Sequence, residues 1–156
     1  MVSVVFVCLG NICRSPMAEV VFRKKVAEAN LEKHIQIDSA GTGDWHSGHA
    51  PDPRAQAALK ARSMDGSHLR ARLFGPDDLN QFDYVVVMDQ SNFDNVTAMG
   101  NGRADVSLLL DWEASDVKEV PDPYYGGDDG FGYALDLIER ASEGLLQHIT
   151  QQAKLS

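Results

Sequence analysis

VVFVCLGNICRSP, residues Val4 to Pro16, opens on a continuous apolar run, Val4, Val5, Phe6 and Val7. That is the pattern of a strand covered on both faces in a parallel sheet. A loop must follow, because Gly10 permits left-handed backbone angles and Asn11 tolerates them. The residues between Cys8 and Arg14 can therefore curl until successive backbone N–H groups point inward, which makes an anion cradle. Ser15 is a good N-cap and Pro16 a good first helical residue, so the cradle is expected to open onto a helix whose positive end faces the same anion.

Cys8 and Arg14 frame this cup with the spacing C-x5-R. A thiol surrounded by N–H dipoles, a helix N-terminus and a guanidinium is expected to serve as an anionic nucleophile near neutral pH. Arg14 can hold two phosphoryl oxygens in a fork that lysine cannot form. Ser15 can hydrogen-bond the sulfur and help it leave in a second step. A buried cysteine at a strand end is often only a small apolar residue, but the Gly, Asn and Ser-Pro context points to a phosphate site.

The run from Cys8 to Pro16 resembles the signature of the low-molecular-weight protein tyrosine phosphatases. The resemblance extends to Ser39, Ala40, Gly41 and Thr42 followed by Trp45, to the turn at Pro51, Asp52 and Pro53, to Met88 and Asp89, and to Asp122, Pro123, Tyr124 and Tyr125. It implies that Leu9, Gly10, Asn11, Ile12, Cys13 and Ser15 contact the substrate, that Trp45 forms an aromatic wall, and that Ser39 braces Asn11. It also implies that Cys13 can trap an oxidised Cys8 as a disulfide, the alternative being a passive loop cysteine. In one place the chain departs from the family. A histidine two residues before an Ala-Arg pair commonly joins the network around the loop asparagine, and here Leu69 holds that place with His68 one position early.

Asp122 supplies the other half of the chemistry. A phosphate ester leaves poorly as a free alkoxide or phenoxide, so a carboxylic acid must protonate the bridging oxygen. Pro121 and Pro123 stiffen Asp122 in an extended conformation suited to presenting its side chain. Asp-Pro alone marks only a turn, and its weight comes from the C-x5-R in the same chain. Tyr124 and Tyr125 are expected to add aromatic walls opposite Trp45. The implied reaction is metal-independent and cofactor-free hydrolysis of phosphotyrosine in proteins, or of small aryl phosphates, through a phosphocysteine, with inorganic phosphate as product.

Other chemistries fit less well. An arsenate reductase of this fold needs further cysteines, and none follows Cys13. A phosphoarginine phosphatase usually has threonine where Ile12 stands. A phosphocysteine carrier of a sugar transport system has no use for Asp122, and a flavin module needs neither Cys8 nor Arg14. The Asp-x-Asp of a magnesium-dependent phosphatase does not follow the first strand.

With 156 residues and 44% apolar content, the chain suits one domain spanning 1–156. A formal charge of −9 argues against nucleic acid and anionic membrane surfaces as partners. No signal-peptide pattern or membrane-length apolar run is present, so a cytoplasmic location is expected. Cys8 and Cys13 are the only cysteines, too few for a disulfide framework and poorly spaced for zinc.

Along the chain, strand and helix alternate. Ala18, Val21, Phe22, Val26 and Ala29 recur at helical spacing, predicting a helix from Ser15 to about Asn30 with Arg23, Lys24, Lys25 and Glu28 facing outward. Ile35 to Asp38 reads as a short strand and Ser39 to Gly43 as a loop. Asp44 to Pro53 reads as irregular, with His46 and His49 as exposed loop histidines. Arg54 to Arg62 reads as helix, and Arg70 and Arg72 as either a solvated face or a binding feature. A short helix over 76–81, a strand over 82–88, an Asp89-capped helix to Met99 and a strand over 106–110 follow. Asp111 to Val120 reads as an acidic linker with Glu113, Asp116 and Glu119 solvated. A last helix from about Gly130 carries Ala134, Ile138, Ala141, Leu145 and Ile149 on one stripe. The expected fold is α/β, a doubly wound four-stranded parallel sheet flanked by helices in a flavodoxin-like layout, with the first strand central.

Overall fold

The structure, a computed structural model, describes residues 1–125 and 129–155, apart from the side chains of residues 125 and 129. Strands β1 (Val2–Cys8), β2 (Ile35–Gly41), β3 (Tyr84–Val87) and β4 (Asp105–Leu108) form one parallel sheet in the order β2-β1-β3-β4. β1 is central, with Val4 beside Ile37 on one flank and Tyr84 on the other. The chain leaves β1 toward β2 and later returns to β1's other edge with β3. The carboxyl end of β1 is therefore the switch point, where ligands bind in such sheets.

Alternation along β1 divides the core into two layers. Val4, Phe6 and Cys8 face a cluster built from α1 (Arg14–Glu28) and α5 (Asp129–Gln152), while Val5 and Val7 face Phe74, Leu79, Phe82 and Val96. The predicted α5 stripe is buried throughout, with Ala134, Ile138, Ala141, Leu145 and Ile149 fully covered. The remaining helices are α2 (Pro53–Lys60), α3 (Asp78–Gln81) and α4 (Gln90–Thr97). No helix among the described residues is long and apolar enough to cross a membrane.

Several boundaries differ from the sequence reading. β2 runs on through Ser39, Ala40 and Gly41, which the small-residue pattern had suggested as loop. Small residues are needed here because the next layer is backbone: a Cβ on Gly41 would lie 2.8 Å from the carbonyl oxygen of Leu9. Helix α1 starts at Arg14 with Cys13 at the N-cap, not Ser15, whose hydroxyl is used elsewhere. β4 ends at Leu108, and Leu109–Trp112 form a 3₁₀ turn. In the following segment Asp116 and Glu119 are exposed as expected, Glu119 also accepting from the backbone of Gln90, whereas Glu113 is half-buried and pairs with Arg140.

Candidate active site

The loop from Leu9 to Cys13 hangs between the centre of the sheet and the first turn of α1. Its reversal needs one left-handed residue, and Asn11 takes it, with φ 56°. Gly10 does not; its lack of a side chain serves close approach instead, since a Cβ there would meet the His46 ring at 3.0 Å. Backbone bonds from Thr42 N–H to Cys8 and from Gly43 N–H to Leu9, both 2.9 Å, tie the loop to the end of β2.

Asn11 is 3% exposed and points behind the loop. Its Nδ2 donates to Ser15 Oγ at 2.7 Å and to Ser39 Oγ at 3.1 Å, and its Oδ1 accepts from the backbone N–H of Arg72 at 3.0 Å. Ser39 thus braces Asn11. His68 is exposed and makes none of these bonds, half-buried Leu69 packs on the core, and the Oδ1 side of Asn11 is taken by the Arg72 backbone N–H. The Arg72 side chain is neither a free solvated face nor a ligand of the cup: it pairs with Asp38 and Asp78.

Cys8 Sγ, 2% exposed, lies 3.1 Å from Ser15 Oγ and receives the Ser15 N–H at 3.4 Å. Arg14 is as deeply buried. One terminal nitrogen donates to Asp89 at 2.6 Å and to the Val120 carbonyl at 3.0 Å, and the other reaches Asp122 at 3.5 Å. Burial works against its charge but is outweighed by Cys8, Asp89 and Asp122, which push its pKa above the usual arginine value. Arg14 Nε is a buried donor without a partner among the described residues. Burial, reinforced by Asp52, Cys8 and Asp122, drives the Cys13 thiol well above the ordinary range, so it stays neutral. Both cysteines are free thiols.

These groups surround a cavity of about 360 Å³ lined by Cys8, Leu9, Gly10, Ile12, Cys13, Arg14, Trp45, His46, Asp122 and Tyr124. The structure thus brings Cys8, Arg14 and Asp122 to one pocket, with Trp45 and Tyr124 at its mouth. Asn11 and Ser15 lie behind it. The Tyr125 side chain falls outside the described residues. Asp122 is held over the pocket by the Tyr124 N–H, which donates to its Oδ1 at 3.0 Å. Tyr124 is covered in turn by Arg54, whose guanidinium carbon stands 5.4 Å from the ring centroid and which donates to the Tyr124 carbonyl.

Two contributors escape the sequence pattern. His46 is half-buried rather than an exposed loop histidine; it lines the pocket and its ring lies 6.3 Å from that of Tyr124. Asp89 is more than the cap of α4, since its second oxygen clamps Arg14. Nothing local in sequence marks His46, whereas Met88-Asp89 belongs to the family resemblance and Asp89 reads in sequence only as a helix cap.

The chain is similar to known proteins over nearly its whole length. Residues 3–155 match the family model "Low molecular weight phosphotyrosine protein phosphatase". A protein of that name from Schizosaccharomyces pombe is 46% identical over 152 residues, covering 95% of this chain and 97% of the relative. The crystal structure of YfkJ from Bacillus subtilis superposes with a TM-score of 0.92 at 42% identity, covering 97% of this chain and 96% of that one. A Drosophila arginine phosphatase gives 0.88 at 33% identity, covering 94% and 96%.

Proposed function

Because the chain belongs to the low molecular weight phosphotyrosine protein phosphatases, we propose that it hydrolyses phosphotyrosine in proteins and small aryl phosphates in two steps at the Cys8 loop. The observation that carries this reading is the convergence of Cys8, Arg14 and Asp122 on one pocket with aromatic residues at its mouth. In the first step the Cys8 thiolate attacks phosphorus in line, a sulfur–phosphorus bond forms, and the bond to the ester oxygen breaks. Protonated Asp122 gives that oxygen its proton, so a neutral phenol leaves. In the second step water attacks the phosphocysteine, Asp122 takes the water's proton, and the thiolate departs toward the Ser15 hydroxyl. Inorganic phosphate is released.

Arg14 and the loop amides supply the positive field for the equatorial oxygens in both steps. Asp89 and Val120 hold one edge of the guanidinium, which leaves the buried Nε hydrogen for an anion. Ile12, Trp45 and Tyr124 give the mouth apolar surface suited to a flat ring. The Drosophila arginine phosphatase is a structural neighbour, so phosphoarginine is the substrate to compare.

The decisive experiment is p-nitrophenyl phosphate hydrolysis in excess chelator. Wild type is expected to turn over, Cys8→Ser to be inactive, and Asp122→Ala to lose about a hundredfold or more, the usual worth of a general acid. Turnover by Cys8→Ser, or activity only with added metal, refutes the reading. Faster hydrolysis of phosphoarginine than of phosphotyrosine peptides reassigns the substrate, and transfer of label from the phosphoenzyme to a sugar reassigns the protein as a carrier.

A further inference from the structure

Behind the nucleophile, the hydrogens of Asn11 and Ser39 have settled directions, and these narrow the choices left to Ser15. Asn11 Oδ1 must accept, because a backbone N–H of Arg72 points at it, so both Nδ2 hydrogens go the other way, to Ser15 and Ser39. Ser15 Oγ accepts from Asn11 and therefore turns its own hydrogen toward its remaining neighbours, Cys8 Sγ at 3.1 Å or the more distant Ala40 carbonyl at 3.4 Å. Ser39 Oγ accepts from Asn11 and must place its hydrogen elsewhere. It gives it to Glu19 Oε1 at 2.7 Å.

Glu19 is a carboxylate 3% exposed, in the second turn of α1. A carboxylate so deep needs a partner for its charge. Arg23, one turn further along α1, donates Nε to Glu19 Oε2 at 2.9 Å and brings Nη2 to the same oxygen at 2.8 Å. Nη2 also donates to the Ile37 carbonyl of β2 at 2.5 Å. Both guanidinium contacts fall on one carboxylate oxygen, leaving the other for Ser39. Arg23 is half-exposed and its spacing suggests a solvated residue, yet it joins α1 to β2 and terminates the chain.

We propose that Glu19 and Arg23 are positioning residues for Cys8: the ion pair keeps an acceptor-only group facing Ser39, which holds Asn11 in its left-handed conformation and leaves the Ser15 hydrogen on the sulfur. The proposal rests on Cys8 being the nucleophile. If the acceptor at Glu19 is lost, the Ser39 hydrogen has no outlet and competes with Asn11 for the same space, so the grip on the loop and on Ser15 loosens together.

The test uses Glu19→Gln, Arg23→Met, Arg23→Lys and the double variant Glu19→Gln/Arg23→Met. In Glu19→Gln the donors of Arg23 draw the amide oxygen to their side, which turns the amide N–H toward Ser39 and blocks its hydrogen. Without Arg23 the amide is free to turn over and offer its oxygen to Ser39. The readouts are kcat/KM with p-nitrophenyl phosphate and the rate at which iodoacetate alkylates Cys8 at pH 6, which reports the sulfur without a phosphate ester. Glu19→Gln is expected to lose about tenfold in both, the rate equivalent of one hydrogen bond to a charged group. Arg23→Met is expected to lose less, about threefold, because Glu19 still offers Ser39 an oxygen, and Arg23→Lys less again. The double variant is expected to recover to within about threefold of wild type, because polarity and not charge is what Ser39 requires.

A double variant no better than Glu19→Gln overturns the proposal, since two packing defects accumulate. Glu19→Gln or Arg23→Met within twofold of wild type overturns it as well. Arg23→Met alters only a half-exposed position and keeps the test open should Glu19→Gln fold poorly. A wild-type protein that alkylates at Cys8 but does not hydrolyse the ester would sink the phosphatase reading and leave the relay standing.

Discussion

Asp89 performs two jobs with two oxygens. Oδ1 accepts the Asn92 N–H at 2.8 Å and caps α4, and Oδ2 takes Arg14 at 2.6 Å. Asparagine can keep only one of these, because it has one acceptor. It caps a helix well, so the carbonyl is expected to stay with Asn92 and the amide hydrogens to face Arg14. Asp89→Asn should therefore leave the melting temperature nearly unchanged while lowering kcat/KM by about tenfold or more, the effect of misaiming a buried, charge-assisted contact. Equal losses in stability and activity would show that the cap, not the clamp, is what the carboxylate supplies. The same duality explains what could and could not be read from the chain. Cys8, Arg14 and Asp122 sit in short motifs whose chemistry demands them, and the structure brings them to one pocket. Glu19 and Arg23 look like ordinary surface spacing on a helix, and Asp89 like a cap, because the partners that give them meaning arrive from other strands.

At the scale of elements, the phosphate loop is shaped as much by β2 as by its own residues. Gly41 ends that strand in a place where a Cβ would press on backbone, 2.8 Å from Leu9 O and 3.1 Å from both Asn11 N and Gly10 C. Backbone yields less readily than a side-chain tip, so Gly41→Ala should push the loop away from the sheet. Overpacking of this kind costs about 1–3 kcal/mol, which for a chain of this size is about 2–12 °C in melting temperature. Activity should fall further than stability, by about a hundredfold, because the loop amides lose their aim. An Ala variant that melts lower but retains kcat/KM would mean that the loop does not depend on β2 for its shape. Alternating and continuous apolar runs made the four strands and α5 legible in sequence. The end of β2 was not, since Ser39, Ala40 and Gly41 look like a loop until the parallel register carries them beside Phe6, Val7 and Cys8. The start of α1 lies before the residue that the sequence offers as a cap for a related reason: the Ser15 hydroxyl is drawn to the sulfur.

For the whole molecule, the titrating groups predict a stability plateau with two edges. Asp52 and Asp83 are held below the usual carboxylate range; burial opposes this, but Arg54 outweighs it at Asp52, and the Ser3 N–H together with Arg103 outweighs it at Asp83. Exposed Asp65 is lowered by the Ser67 N–H. A carboxyl whose folded value lies below its unfolded value of about 3.9 contributes fully above that pH and loses its contribution as pH falls through the folded value. The melting temperature should thus hold steady down to about pH 4 and drop below it. Cys13 has the opposite sign. Its thiol is raised by burial and by neighbouring anions, so the folded protein keeps a proton that the unfolded chain releases from about pH 8.5 upward, and stability declines progressively above that point. Tyr84, raised by burial, Asp105 and Asp83, adds to the decline from about pH 10. The net charge of −9 adds a general repulsion that also grows with pH, so the comparison must be made between variants. Cys13→Ala should melt lower than wild type at pH 7 yet lose less on going from pH 8 to pH 10, whereas the acid edge should be the same in both. Parallel alkaline slopes in the two proteins would show that the Cys13 thiol does not keep its proton in the folded state.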